Sequence, residues 1–196
     1  VKNRDEQNLL VNEQFNIVVL AVASIASMVV CFAPIIVRLL LSSDFLVVSP
    51  MLKLMAVALL FRGVWMVMSY IILANGDRKA YFIYDGLLGN GLNFLIGIVA
   101  YYFGGLTGIG LANIVASVLV AAILFAVSYH RYKARLTSIS RQTLLFAVVL
   151  VALSYLLSVF WGNIAVVGMV ATLSWSLHVL NKQYHLLANI QKRFRH

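Results

Sequence analysis

Apolar side chains run through this chain in long unbroken stretches rather than in the one-sided stripes of a water-soluble helix. No Asp, Glu, Lys or Arg occurs from Leu87 to His130, nor from Gln142 to Asn181. A helix needs about 20 apolar residues to cross a bilayer, so each run holds two crossings. Membrane-barrel strands would be shorter and strictly alternating, which these runs are not. The pattern predicts an all-α, polytopic membrane helix bundle with about six transmembrane helices. They are Asn16 to Leu41, Met51 to Ala74, Phe82 to Phe103, Gly108 to Tyr129, Thr143 to Phe160 and Ile164 to Leu180. Pro34 predicts a kink in the first, because it removes a helical hydrogen bond. The uncharged, glycine-rich GGLTGIG separates the third from the fourth, and WGN closes a tight hairpin between the last two. Those last two are near the lower length limit for spanning.

The polar stretches divide the chain. Residues 1–15 read as a cytoplasmic N-terminal segment, 16–129 as a four-helix unit and 130–142 as a basic cytoplasmic loop; 143–180 is a C-terminal helical hairpin and 181–196 a basic cytoplasmic tail. In the tail, Tyr184, Leu187, Ile190 and Phe194 recur three or four residues apart with basic residues between them. An amphipathic helix lying in the membrane interface fits that spacing; so does a frayed basic end that only fixes orientation. Composition agrees with the class. Of 196 residues, 63% are hydrophobic and 11% charged, against roughly half and a quarter in soluble domains.

The net charge of +9 is not spread over a nucleic-acid-binding face. Twelve of the 15 Lys and Arg fall in the N-terminal segment, the loop 75–81, the loop 130–142 and the tail. The opposite side has only Arg38, while Lys53 and Arg62 lie within the second span. Positive residues stay cytoplasmic, so both termini are expected there and the number of spans is expected to be even. The bilayer is the expected partner and nucleic acid is not. The polar start VKNRDEQNLLVNEQ carries no cleavage signature of a secretory leader. Because it lacks Met, the chain is expected to be a piece of a longer protein or to start at an alternative codon.

Catalytic chemistry does not emerge. His130, His178, His185 and His196 are scattered with no pair at metal-ligand spacing, and Cys31 is the lone cysteine, a small packing residue. There is no phosphate-binding GxxxxGK loop and no long extramembrane stretch. The expectation is a protein that is not an enzyme and has no cofactor and no metal.

Three features remain. Gly86, Asn90, Asn93 and Gly97 recur at helical spacing, which fits either a close-packed seam or a polar strip facing an aqueous path. Asp85, about one turn inside the third span, is expected to pair with Arg78 or Lys79 at the interface. Lys53 can snorkel to the outer surface. Arg62 is some 18 Å from the cytoplasmic end at about 1.5 Å per residue, too deep to snorkel and not level with Asp85. It must bond backbone carbonyls, pair with absent protein or face water.

The order of several short features resembles a known family. VNEQ leads into a Pro-containing span ending FAPIIVRLLLSSDF; SYIILANGDRKAYF, GLTGIGLANIVAS and HRYKAR follow. Across about residues 10–135 this resembles oligosaccharide flippases of the Wzx type, in the superfamily that also holds lipid II flippases and multidrug exporters. The resemblance implies a two-bundle transporter of which this chain is the C-terminal portion, its last six helices, with the N-terminal half as partner. It implies alternating-access movement of an undecaprenyl-pyrophosphate-linked oligosaccharide across the bacterial inner membrane, for surface polysaccharide such as lipopolysaccharide O-antigen. Arg62, Asn90 and Asn93 become the candidate substrate-binding residues. A cation-coupled multidrug exporter of the same superfamily is disfavoured because no acidic residue lies deep in a span. A non-catalytic membrane assembly subunit is the remaining alternative.

Overall fold

Charge-free runs cannot leave backbone amides unpaired in a bilayer, and helices satisfy them within the segment. The computed structural model describes residues 4–160 and 165–193, with side chains described for 8–160 and 166–182. Every long element is helical, and no strand occurs among the described residues. Helix α1 is Arg4–Leu40, α2 Ser49–Ala74, α3 Arg78–Tyr81, α4 Asn90–Tyr132, α5 Ser138–Phe160 and α6 Ala165–Arg193. A 3-10 turn, Ser43–Val48, joins α1 to α2, and the π-helical stretch Phe82–Gly89 joins α3 to α4. Helix α1 is continuous from Arg4 in the N-terminal segment, with Pro34 inside it, to Leu40. The WGN turn and the outward face of the tail lie outside the described residues and side chains.

One long assignment conceals a reversal. Gly105 within α4 has φ 56° and ψ −141°, a left-handed backbone that favours glycine. Beyond it the chain doubles back: the Asn93 side-chain amide reaches the Asn113 carboxamide oxygen at 3.5 Å. In a straight helix those positions would be about 30 Å apart. A Cβ on Gly108 would lie 2.0 Å from the Ala100 carbonyl oxygen, so the two arms nearly touch at the turn. GGLTGIG is therefore the hairpin its composition predicts.

The span count needs correction. Among the described residues, four apolar segments are long enough to cross a membrane: Asn8–Leu40, Ser43–Ala74, Arg78–Tyr132 and Ser138–Phe160. The third is folded in two at Gly105, which makes five apolar arms among the described residues, against the about six expected. The sixth expected span, Ile164 to Leu180, begins outside the described residues, and the described part of α6 reaches Asn181 and Lys182 beyond its apolar stretch. Helix α6 lies antiparallel to α1, with the Ser27 hydroxyl donating to Thr172 at 3.2 Å and the Ser176 hydroxyl to the Leu20 carbonyl at 3.5 Å.

Helix α2 is central, packed against α1 and the second arm of α4. The core joins Phe15, Val19, Ala23 and Ala26 of α1 to Leu60, Val67, Met68 and Ile72 of α2, with Val120 and Leu124 of α4 and Val151 of α5. In lipid, close packing and interhelical hydroxyl bonds hold helices together, because the tails are as apolar as the side chains. Small residues supply the approach: Ala23, Ala26, Ala112 and Ala116 are buried, and the Ser128 hydroxyl donates to the Met68 carbonyl at 3.3 Å. The outer surface is apolar, with Ile25, Ile35, Leu95, Val99, Phe146 and Leu156 at least half exposed. This is a membrane protein.

Candidate functional site: a charged cavity beside α2

One face of α2 is not covered. Leu59, Arg62, Met66, Tyr70 and Leu73 are exposed at helical spacing, while Val64, Trp65, Val67 and Met68 between them are buried. Along this face α2, α3, the π-helical stretch and the start of α4 border an open cavity of about 250 Å³ lined by Arg62, Trp65, Met66, Ser69, Tyr70, Tyr81, Asp85 and Asn90. Tyr70 also lines a larger groove of about 720 Å³ toward the Asn75 end of α2, where Leu10, Val11 and Gln14 of α1 form the opposite wall. The Tyr70 side chain therefore stands between the two, the groove at the end of the bundle holding the loop 75–81 and the cavity at mid-depth.

Arg62 sits over the Trp65 indole, its guanidinium carbon 5.2 Å from the ring centroid. That contact contributes from about 0.5 kcal/mol at an exposed site to about 2 when desolvated. Among the described residues no carboxylate pairs with Arg62, and the ion pair there joins Arg131 to Asp77 at 3.5 Å. Its five N–H donors are matched to planar oxyanions, carboxylate or phosphate. Trp65 is held from its other side, where the indole N–H donates to Asp85 Oδ1 at 2.5 Å. The Ser69 hydroxyl donates to the same oxygen, also at 2.5 Å.

Asp85 was expected at the interface with Arg78 or Lys79, and its placement corrects that. The carboxylate turns inward to Trp65 and Ser69, the latter about 8 Å above the end of α2. The π-helical stretch that carries it explains the difference: its wider turn breaks the straight-helix register from which the depth was judged. The interfacial role falls to Asp77, whose carboxylate accepts from the Ala80 backbone N–H at 3.0 Å and the Tyr132 hydroxyl at 2.8 Å. Those two bonds, with Arg131 adding to them, hold its carboxyl below the usual range. Lys53 donates to the Ser158 carbonyl at 3.1 Å, in the last turn of α5.

The three sequence candidates separate. Arg62 and Asn90 line the same cavity. The Asn90 amide donates to the Asp85 and Gly86 carbonyls at 3.3 and 3.1 Å, leaving its oxygen to the cavity. Asn93 lies outside it, bonded to Asn113 across the hairpin. The seam expected at Gly86 and Gly97 is not there. A Cβ on Gly97 would have no neighbour within 4 Å, and one on Gly86 would meet only Phe82. The close crossings fall on Gly89, against Trp65, and Gly110, against Leu54. Trp65, Ser69 and Asp85 are the members that sequence reasoning missed. The one available signal was the spacing of Arg62, Trp65 and Ser69, three and four residues apart on an otherwise apolar helix.

Protein-family models, curated proteins and solved structures give no match to this chain.

Proposed function

We propose that this chain is part of an inner-membrane flippase for undecaprenyl-pyrophosphate-linked oligosaccharide, with the Arg62 cavity receiving the pyrophosphate end. The carrying observation is an exposed guanidinium about halfway along a membrane-spanning helix, with no carboxylate among the described residues paired to it. Burying such a cation against acyl chains costs at least about 2.5 kcal/mol on the most lenient scale, so water or an anion must face it. Pyrophosphate offers oxygens for bidentate guanidinium contact, and Asn90 stands beside them with a free acceptor for a sugar hydroxyl. The groove on the other side of Tyr70 lies toward the cytoplasmic end, where the headgroup would enter. Both chain ends are placed in the cytoplasm on the strength of the basic loops. The exposed face of α2 then meets the other half of the transporter, and the chain alone does not transport.

A cation-coupled exporter is the second reading, and Asp85 is the observation in its favour. It supplies the inward acidic group whose absence stood against that reading. Replacing Arg62 in the full-length protein separates the two. With Arg62→Gln at normal folded yield, surface glycan is expected to be lost, and Arg62→Lys is expected to restore part of it. Normal glycan in Arg62→Gln rejects the flippase reading, and a change in drug resistance alone supports the exporter.

A further inference from the structure

Asp85 Oδ1 accepts from the Trp65 indole N–H and the Ser69 hydroxyl, with the Tyr81 hydroxyl interacting with the same carboxylate, and these donors differ in kind. An indole N–H only donates, whereas a hydroxyl donates or accepts. The same indole bears Arg62 on its face. Carboxylate, ring and guanidinium therefore form a short chain: Asp85 fixes the edge of Trp65, and the face of Trp65 holds Arg62. The titratable and charged groups around Asp85 in this cavity are Arg62 and Tyr70 of α2 and Tyr81 of α3.

We propose that Asp85 is a proton-binding site, and that loading it loosens Trp65 and frees the Arg62 guanidinium for an anion. The step is one proton taken from water onto the carboxylate to give the neutral acid. The Ser69 hydroxyl then changes from donor to acceptor, or turns away. Trp65 has no such alternative. Its N–H exchanges a charged acceptor for a neutral one, and charge-assisted hydrogen bonds are roughly twice as strong as neutral ones. Protonation also removes the negative charge from the cavity, leaving Arg62 as its one charged side chain. Proton loading and anion binding thereby favour each other, the reciprocity that linkage requires. The inference concerns the cavity's own residues and does not depend on which anion is carried. Ionisable side chains inside a membrane mark such sites far more often than surface ones do.

Trp65 reports on it directly. The chain has three tryptophans, so the full chain carrying Trp161→Phe and Trp175→Phe, in phosphatidylcholine vesicles, emits from Trp65 alone. Lowering the pH is expected to shift its emission along a one-proton curve and to raise quenching by acrylamide several-fold. Asp85→Asn is expected to abolish that response, and Asp85→Glu to recover it. Emission that stays flat from neutral to acid in the double variant overturns the proposal. The same curve in folded Asp85→Asn overturns it too. The readout involves no substrate, so its failure leaves the flippase reading standing, and failure of that reading leaves this one intact.

Discussion

Gly89 lies directly against Trp65: a Cβ on this glycine would sit 2.5 Å from the indole Cζ2. The contact sets how closely the start of α4 approaches α2, and so where Asp85 hangs relative to Arg62. Gly89→Ala is expected to destabilise the protein by about 1–3 kcal/mol, the range for overpacking a close crossing. Gly97→Ala meets nothing and is expected to be neutral or slightly stabilising. Thermal unfolding in detergent checks both. Equal midpoints for the two variants would count against a tight crossing at Gly89.

Asn12 fastens the turn between α4 and α5. Its amide donates to the Arg135 carbonyl at 2.9 Å, and its oxygen accepts from the Thr137 N–H and the Ser140 hydroxyl, both at 2.8 Å. Asn12→Ala leaves these groups without their partner, at about 1–3 kcal/mol for each that stays buried. Hydrogen exchange at Thr137 is expected to rise sharply. Unchanged protection of residues 133–140 would show that the turn holds itself.

Asp77 makes the loop 75–81 sensitive to acid. Its folded-state carboxyl is held low, first by the Ala80 N–H and then by Tyr132. A depressed folded value means the stabilisation is present above the ordinary aspartate range, near pH 4, and is lost as pH falls through the folded value. Protection of the Ala80 amide should therefore persist at neutral pH and fade in stronger acid. Asp77→Asn should remove that dependence. An identical acid profile in the variant would assign it to another group.

Topology is open to labelling. With Cys31→Ser as background, Ser42→Cys is expected to react with an impermeant thiol reagent from outside, and Ser138→Cys and Asn189→Cys only from inside. Outside labelling at Ser138 would invert the arrangement. Opposite labelling of Ser138 and Asn189 would mean that α6 does not cross beside α1.

Much of the bundle could be read from the chain because lipid imposes long apolar runs and few alternatives. Gly105 was foreshadowed by GGLTGIG, and Arg62 stood out as a charge where none belongs. Two readings failed for one reason. Both the depth of Asp85 and the face shared by Gly86 and Gly97 assumed an unbroken 3.6-residue period, and the π-helical stretch Phe82–Gly89 interrupts it. Gly89 at its end packs against Trp65, a contact 24 residues away along the sequence that no local pattern announces.

Binding of the anion tests the account most directly. The full chain in lipid nanodiscs would be titrated with a polyprenyl-pyrophosphate-linked saccharide and, separately, with the same molecule lacking its phosphates. Charge-assisted hydrogen bonds contribute about 1.5–3 kcal/mol, so Arg62→Gln should weaken the phosphorylated ligand at least roughly tenfold. The phosphate-free ligand should bind the parent and Arg62→Gln alike, and weakly. Phosphorylated ligand bound equally by the parent and by folded Arg62→Gln would contradict the claim that this cavity receives a pyrophosphate.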